Sequence, residues 1–359
     1  MKKIAAGLAV LMIYGALAGY IGWAMFSWLL SFSLPVNAWL FALIWAVLAF
    51  SYLIGAIGHK WLGFTIAGSY WFGFFQYALL LVPVAQLAVI AVDHPREVQI
   101  IGAVTAILLL LIFAVGTFLA YSPVVRQKEI TVKGRGEDLD IVIASDFHLG
   151  VLSGKRHLER FVTMSNRLEP DLVLLAGDLV DDDPIWYARY GMSETMKQLT
   201  SKYGVFGILG NHEYYGKKIP LLVRVMEESG VRILQDETIE IDGKIHLSGR
   251  EERTNRNRQS LESLKPVEKL PWIVMDHTPS DLKTPLELGV DFHISGHTHK
   301  GQMWPNHLIT KRVFDLDYGH RQDGSTHFLV SSGFGFWGPP IRIGSRSELW
   351  KVRIKFQEA

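Results

Sequence analysis

The stretch LDIVIASDFH (residues 139–148) joins an apolar run, typical of a buried β-strand, to two residues that often bind metals, Asp146 and His148. Further along the chain, other short apolar runs also lead into polar residues of this kind. These later blocks are Gly177-Asp178, Gly210-Asn211-His212-Glu213, Asp276-His277 and Gly296-His297-Thr298-His299. Any one block occurs often by chance, but the whole series predicts a shared site.

The blocks supply oxygen and imidazole-nitrogen ligands, and the chain has no cysteine. Disulfides and zinc–thiolate sites are therefore excluded, whereas the cellular compartment stays open. Carboxylates, an amide and several imidazoles suit a pair of divalent ions, which can neutralise phosphoryl oxygens and acidify a bridging water. The sequence thus predicts a hydrolytic centre with two divalent ions, for which Mn, Fe, Zn and Co are all suitable.

The C-terminal two-thirds of the chain reads as an α/β domain, because short β-branched or apolar runs alternate with helical segments. The metal-type residues follow the carboxyl ends of these runs, where open α/β sheets place their sites. Predicted strands are Leu139–Ala144, Leu172–Ala176, Val205–Leu209, Ile273–Met275 and Phe292–Ser295, and predicted helices lie near Lys155–Leu168, Pro184–Ser201 and Ile219–Ser229.

Residues 1–121 have a different composition, with only six formal charges, whereas the remainder holds 32 of the 36 basic and 33 of the 35 acidic residues. A soluble helical core or a signal peptide ending near Ala18 is the alternative, but the first apolar run continues past that point without a polar break. We predict a transmembrane domain of about four helices, Ile4–Leu30, Ala38–Ile57, Phe64–Val92 and Val98–Tyr121.

The distribution of basic residues predicts the orientation of this membrane domain. With four crossings, more basic residues fall on the side of the chain termini than on the other side. The larger group contains Lys2, Lys3, Lys60, Arg126 and Lys128, and the smaller group contains Arg96 alone. We therefore expect a multi-pass protein of the cell membrane, with both termini and the catalytic domain in the cytoplasm.

Residues 122–138 are predicted to be a charged linker, in which Pro123 ends the fourth helix and Gly134 and Gly136 keep the chain loose. The domain that follows, residues 139–359, is nearly neutral, which gives no indication of nucleic-acid binding. The expected partners are the lipid bilayer and a phosphorylated substrate. The sequence leaves the oligomeric state open.

Over about residues 139–356, the five blocks resemble the pattern of the calcineurin-like metallophosphoesterase superfamily: D-x-H, G-D, G-N-H-[DE], a lone His and G-H-x-H. The chain looks most like the bacterial membrane-anchored branch, whose last block continues as G-H-T-H-G-G-Q. Here Lys300 replaces the first of those two glycines, whereas Ser331–Gly335 and Gly338–Arg342 are also similar to that branch. The resemblance implies a four-layer αββα sandwich.

The resemblance also implies how the ligands divide between two ions. Asp178 would bridge them and take part in catalysis, because its two oxygens can serve both ions. His212 would be the second catalytic residue, stabilising the transition state or protonating the leaving oxygen. The first ion would bind Asp146, His148, Asp178 and His299, and the second would bind Asp178, Asn211, His277 and His297.

Candidate substrate contacts lie outside the five blocks. Arg250 and Arg258 could bind a phosphate bidentately, or they could belong to a solvated basic loop. Phe334 and Trp337, in a loop rich in glycine and proline, could form an apolar rim for acyl chains, or they could pack in the core. The acidic run Asp181–Asp183 is expected to be a solvated loop rather than a further metal site.

The favoured function is a membrane-anchored phosphoesterase that hydrolyses a phosphodiester, pyrophosphate or phosphomonoester bond, with a lipid-linked substrate. Enzymes of the superfamily that cleave the pyrophosphate of UDP-2,3-diacylglucosamine suggest this by resemblance. One alternative is a nucleotide phosphodiesterase whose helices act as an anchor or a sensor. Another is a membrane scaffold that binds metal without catalysis.

Overall fold

The computed structural model describes residues 2–56, 61–92, 94–181 and 183–358. Ile57, Lys60, Asp93 and Asp182, which enter the predictions, lie outside these ranges. The chain divides into two compact units, Met1–Val115 and Gly116–Ala359. The first unit contains the helices α1 (Lys2–Leu30), α2 (Ala38–Ala49), α3 (Ser51–Ala56) and α4 (Leu62–Val92). Helix α5 (Pro95–Tyr121) begins in the first unit and ends in the second.

Three of these helices are long and apolar enough to cross a membrane, and they contain Ile4–Leu30, Leu62–Ala91 and Arg96–Tyr121. They match three of the four predicted stretches. Their surfaces carry many exposed large apolar side chains, such as Leu87 and Leu110, each 69% exposed. Outward-facing apolar side chains are expected where the surrounding solvent is lipid.

The second predicted stretch, Ala38–Ile57, is not one long helix. Phe50 leaves helical geometry, with φ −103° and ψ 9°, and separates α2 from α3. The 12 residues of α2 span about 18 Å at about 1.5 Å per residue, which is shorter than the apolar thickness of a bilayer. The break lets α3 pack closely on α4, where an added Cβ at Gly68 would lie 2.4 Å from the Tyr52 backbone nitrogen.

The second unit contains the predicted α/β domain. Its strands are β1 (Val124–Lys133), β2 (Leu139–Ala144), β3 (Leu172–Ala176), β4 (Val205–Ile208), β5 (Val231–Ile233), β6 (Glu237–Ile241), β7 (Ile245–Gly249), β8 (Trp272–Met275), β9 (Phe292–Ser295), β10 (Gly319–Asp323), β11 (Thr326–Val330) and β12 (Glu348–Gln357). Its α-helices are α6 (Lys155–Asn166), α7 (Ile185–Arg189), α8 (Met192–Met196), α9 (Asn211–Gly216), α10 (Ile219–Glu228), α11 (Lys283–Leu288) and α12 (His307–Val313), with short 3-10 turns at Glu262–Leu264 and His299–Gly301.

The strands form two mixed six-stranded sheets that pack as a sandwich. One sheet has the order β1-β12-β2-β3-β4-β5, and the other has the order β10-β11-β9-β8-β7-β6. Apolar side chains of both sheets, including Ile141, Leu174, Ile273 and Ile294, form one buried core. Helices cover the other face of the first sheet, where Phe161 of α6 belongs to a second buried cluster. The turn Glu262–Leu264 and the end of α11 cover the second sheet.

The predicted linker is wrong, because most of residues 122–138 forms strand β1. This strand pairs in parallel with β12 over its whole length and is the edge strand of the first sheet. Ile130 and Val132 are each only 3% exposed and join the core between the sheets. Other positions of the strand, including Arg126, Glu129 and Lys133, are exposed, as is typical of an edge strand, and these charges give the segment its linker-like composition.

We predict that Ile130→Ala destabilises the second unit by about 2–5 kcal/mol, because it removes buried methyl groups from the core between the sheets. The neighbouring exposed Thr131→Ala should change the free energy of unfolding by less than about 0.5 kcal/mol. Denaturant unfolding followed by tryptophan fluorescence measures both. Equal effects of the two substitutions would contradict the burial of β1.

Candidate metal centre

The five sequence blocks meet at one edge of the sandwich. Three of them follow the parallel neighbours β2, β3 and β4 of the first sheet, and two follow the parallel neighbours β8 and β9 of the second. Carboxyl ends of parallel neighbouring strands lie on the same sheet edge, which brings the loops together. Glycines permit the closest approaches, since a Cβ at Gly210 would lie 2.1 Å from Asp178 Oδ1 and one at Gly296 would lie 2.3 Å from Asp146 Oδ2.

Asp146, His148 and His299 form one group of possible metal-binding atoms, all within 4.8 Å of one another. The Nε2 atoms of the two histidines are 3.1 Å apart. Nε2 of His299 lies 3.4 Å from Asp146 Oδ1, and Nε2 of His148 lies 3.7 Å from Asp178 Oδ2. These four residues are the ligands predicted for the first ion.

Asp178, His277 and His297 form another group within 4.8 Å. Nε2 of His277 lies 3.2 Å from Asp178 Oδ2. The side chain of Asn211 joins this group, because its Oδ1 lies 2.7 Å from His297 Nδ1. The structure therefore brings all four ligands predicted for the second ion together, and Asp178 also forms a group within 4.8 Å with His148 and His212.

The donor atoms fit a pair of divalent ions. His277 Nδ1 is 2.8 Å from the carbonyl oxygen of Ala176, which fixes the ring so that the buried Nε2 faces Asp178. Nε2 and Asp178 Oδ2 are 3.2 Å apart, so that one ion could bind both atoms. The predicted ligand residues are buried, apart from the partly buried His297. Their nitrogen and oxygen donors match the ions that imidazole and carboxylate prefer.

Most of the ligand residues adopt left-handed backbone conformations. Their φ values are 52° at Asp146, 44° at His148, 51° at Asp178, 70° at His297 and 49° at His299. A residue with a Cβ rarely adopts this conformation, and surrounding contacts must hold it there. Such strain is typical of sites in which side-chain direction is fixed in advance.

The buried carboxylate of Glu213, to which sequence analysis assigned no role, is one of these contacts. It accepts hydrogen bonds from the backbone N–H groups of Asp178, Val180 and Gly210, at 3.2, 3.0 and 2.6 Å. It thereby fastens the loop after β3 to the start of α9. Burial and then the negative charge of Asp178 raise the pKa of Glu213 to about 7.

The imidazoles differ in charge. Burial lowers the pKa of His148 to about 3 and that of His297 to about 4, so both rings are neutral and able to bind a metal at neutral pH. Burial opposes protonation of His277 as well, but the negative charge of Asp178 outweighs it and raises the pKa of His277 to about 10. Burial likewise opposes ionisation of Asp178, yet His277 holds the pKa of Asp178 well below its usual range.

His212 is buried beside the predicted ligands. Its backbone N–H donates to Asp178 Oδ1 at 3.0 Å, which fixes the first turn of α9. Its ring lies 4.6 Å from that of His148. Its Nδ1 lies 3.7 Å from the Oδ1 atom of Asp181, whose carboxylate also lies 4.0 Å from His148 Nδ1. Asp181 thus faces two histidines of the site, a position that sequence analysis missed because its neighbours are acidic too.

Residues 139–301 match the family described as calcineurin-like phosphoesterase. These residues are similar to that family, and the second unit is called the phosphoesterase domain below. The matched range includes every predicted metal ligand.

Relatives of the phosphoesterase domain carry matching descriptions. An uncharacterized metallophosphoesterase of Helicobacter pylori is 32% identical over 240 residues, which is 65% of this chain and 64% of that protein. A transmembrane protein with metallophosphoesterase domain of Bos taurus is 29% identical over 309 residues, covering 79% of this chain and 69% of the relative. That second match extends beyond the phosphoesterase domain into the apolar N-terminal part.

Arg250 and Arg258 of the phosphoesterase domain both bind Asp276, the residue before the ligand His277. Arg250 Nη1 donates to Asp276 Oδ2 at 2.9 Å, and Arg258 Nη2 donates to the same oxygen. Their side chains are 11% and 12% exposed. In this structure, the two guanidinium groups therefore hold the loop that carries His277, and their binding to a phosphate stays a prediction.

Phe334 is a correction. It was a candidate substrate contact at an apolar rim, with packing in the core as the alternative, and its ring is fully buried against Phe147 and Phe161. Glycines on both sides of it let the chain turn inward, since a Cβ at Gly335 would lie 2.0 Å from the carbonyl oxygen of Phe147. Trp337 does reach the surface, with 57% of it exposed and its ring 6.1 Å from that of His212.

Arg342 has a role that sequence analysis did not assign, although its motif was noted. The side chain is fully buried, and its Nη2 donates to the carbonyl oxygens of Ser332 and Gly335 at 2.6 and 2.7 Å. The same Nη2 lies 3.2 Å from Nδ1 of the ligand His299. The backbone N–H of Arg342 donates to the carbonyl oxygen of Gly116 in α5, at 2.9 Å. Arg342 therefore contacts both a ligand and the end of an apolar helix.

We predict that metal binding near neutral pH releases about one proton from His277, because this ring is protonated beside Asp178 and must lose its Nε2 proton to bind a metal. The release should disappear above the raised pKa of about 10, and metal affinity should increase as the pH approaches that value. Calorimetric titration of chelator-treated protein with Mn²⁺, in two buffers of different ionisation enthalpy, measures the number of protons.

His277→Gln should abolish that proton release. His157→Gln is the matched control, because His157 is a buried histidine outside the ligand groups, and burial lowers its pKa to about 4. An unchanged proton count in His277→Gln would contradict the assignment.

Proposed function

We propose that the chain is a membrane-anchored phosphoesterase that uses two divalent metal ions to hydrolyse a phosphodiester, pyrophosphate or phosphomonoester bond of a lipid-linked substrate. The observation that carries the proposal is the position of Asp178, which groups with His148 and His212 on one side and with His277 and His297 on the other, since one carboxylate can serve two ions. The phosphoesterase domain supports the reaction class. The apolar helices and the description of the Bos taurus relative support the membrane anchor.

Asp146, His148, Asp178 and His299 would hold one ion, and Asp178, Asn211, His277 and His297 would hold the other. When bound, such a pair neutralises phosphoryl oxygens and supplies a water of lowered pKa. Nitrogen and oxygen donors suit Mn, Fe, Zn or Co, and we choose manganese as the first metal to test. The neutral amide of Asn211 limits the negative charge around a substrate that is itself anionic.

His212 is the proposed proton donor to the leaving oxygen. Its ring lies against the first donor group without being needed for either set of ligands, and 10% of its side chain remains exposed. The carboxylate of Asp181, 3.7 Å from Nδ1, would orient the ring. An imidazole in this position can transfer a proton without a change in the surrounding structure.

Trp337 and Tyr215 are the proposed contacts for the part of the substrate next to the phosphate. Both are well exposed, at 57% and 58%, and their rings lie 6.1 and 5.5 Å from that of His212. Aromatic rings with a polar atom suit a boundary between an apolar chain and a charged head group. Arg250 and Arg258 would act indirectly, by positioning the loop of His277.

We predict that the full-length protein in detergent hydrolyses bis-p-nitrophenyl phosphate with Mn²⁺. Asp178→Asn should lower turnover by more than the roughly 10- to 100-fold expected when only an outer partner of a ligand is lost. Asp183→Asn is the matched control, because Asp183 pairs with Lys218 and belongs to neither ligand group. Activity of Asp178→Asn equal to that of the control would contradict the proposed centre.

A second experiment on the same protein compares the turnover rates of different substrate classes. A lipid phosphate or pyrophosphate in mixed micelles should be turned over faster than p-nitrophenyl phosphate or a cyclic nucleotide. Faster turnover of the nucleotide would favour a phosphodiesterase with an anchor. No Asp178-dependent turnover of any of these substrates, together with stoichiometric metal binding, would favour a scaffold.

We also propose that the membrane domain crosses four times and leaves the phosphoesterase domain in the cytoplasm. This arrangement requires α2 and α3 to cross together as a broken helix. Since the chain has no cysteine, single cysteines report exposure cleanly. In intact cells, an impermeant maleimide should label Leu34→Cys, between α1 and α2, but should label Val267→Cys only after permeabilisation. Labelling of Val267→Cys from outside would indicate an odd number of crossings.

A further inference from the structure

Helix α12 and the residue Trp304 before it expose an apolar surface on the phosphoesterase domain. The exposed fractions are 50% for Trp304, 60% for Leu308, 65% for Ile309 and 66% for Val313. No residue of α12 is buried. Soluble surface helices normally place charged residues on their outer face, so a contiguous group of large apolar side chains indicates a contact partner.

The helical period separates an inner face of α12 from an outer face. Thr310 belongs to the inner face and donates its hydroxyl to Asp317 Oδ2 at 2.8 Å. At 100° per residue, Leu308 and Arg312 lie on the side opposite Thr310, and Ile309 lies on the flank between them. Val313, in the last turn, is exposed as well. Lys311 and Arg312 are both exposed. The outer face thus combines aliphatic side chains, a tryptophan and two positive charges.

Only one layer of residues separates this surface from the candidate metal centre. Asp317, which binds Thr310, also accepts a hydrogen bond from the Thr298 hydroxyl through its backbone carbonyl, at 2.6 Å. Thr298 lies between the ligands His297 and His299. The ring of Phe314, at the end of α12, lies 5.9 Å from that of His297. A partner bound to α12 would therefore lie next to the loop that carries two ligands.

The same surface adjoins the end of α5. The backbone N–H of Trp304 donates to the carbonyl oxygen of Ile343 at 2.8 Å. The adjoining residue Arg342 donates to Gly116 of α5, and Ser347 donates to Leu119 of α5 at 3.2 Å. The segment Ile341–Ser347 therefore lies between the α12 surface and the last turns of a helix that is long and apolar enough to cross a membrane.

We propose that Trp304 and α12 form a lipid-docking surface, which seats the phosphoesterase domain on an anionic bilayer beside its metal centre; the proposal rests on the membrane anchoring given under Proposed function. Aliphatic and tryptophan side chains enter the boundary between head groups and acyl chains, and basic residues attract anionic head groups. The residues of this α12 surface are Trp304, Leu308, Ile309, Lys311, Arg312 and Val313.

The test measures depth in the bilayer and needs no activity. A nitroxide attached to Ile309→Cys in full-length protein is compared with one attached to Val267→Cys, an aliphatic residue that is 99% exposed in another loop. In vesicles containing phosphatidylglycerol, the label at residue 309 should be accessible to oxygen and protected from a water-soluble nickel complex. The label at residue 267 should remain accessible to the nickel complex.

Two outcomes would overturn the proposal. One is equal nickel accessibility of both labels in anionic vesicles. The other is protection of the label at residue 309 in detergent with spin–spin broadening, which would assign the surface to a second copy of the chain.

Charge reversal provides the functional readout. Lys311→Glu combined with Arg312→Glu should raise the KM for a lipid phosphate in anionic vesicles by roughly fivefold or more, and the increase should vanish in zwitterionic vesicles. Turnover of bis-p-nitrophenyl phosphate should not change. An unchanged KM in anionic vesicles would count against docking. Failure of the phosphoesterase itself is recognised separately, by loss of turnover of the soluble diester in the unmutated protein.

Discussion

The carboxylate of Asp178 is the group on which the metal centre depends. Its Oδ1 accepts the backbone N–H of His212, and its Oδ2 faces His277 and His148 at 3.2 and 3.7 Å. It is only 2% exposed, so its charge is not stabilised by water. Loops from both sheets must therefore supply positive charge or hydrogen-bond donors around it. The five strand ends meet around Asp178 and supply these groups.

The same constraint explains the unusual backbone of the site. Asp146, His148 and Asp178 point their side chains inward from left-handed conformations, which cost free energy for residues with a Cβ. Hydrogen bonds between loops offset this cost: Glu213 binds three backbone N–H groups, and Asp146 accepts the N–H of His297 at 2.9 Å. The acidic residues therefore shape the loops and would also bind the metals.

Much of the site could be predicted because its signals are local. Each block follows a buried parallel strand, and the predicted bounds Leu172–Ala176 and Phe292–Ser295 are those of β3 and β9. Other features depend on distant contacts. The sequence of β1 looks like a linker because its charges face solvent, and its buried residues can be recognised only once β12, more than 200 residues later, is placed beside it. The burial of Phe334 and the contacts of Arg342 likewise depend on partners far along the chain.

The last turns of α5 belong to the folded unit that begins at Gly116. Ser347 bonds the carbonyl oxygens of Leu119 and Ala120, the Tyr121 hydroxyl bonds the carbonyl oxygen of Leu152, and β1 begins after only two intervening residues. The point at which apolar composition ends is therefore not the point at which the second unit begins. A fragment cut at residue 121 would lack part of the interior of this unit, whereas one beginning near residue 116 would keep it. The same few residues thus end an apolar helix and complete the second unit.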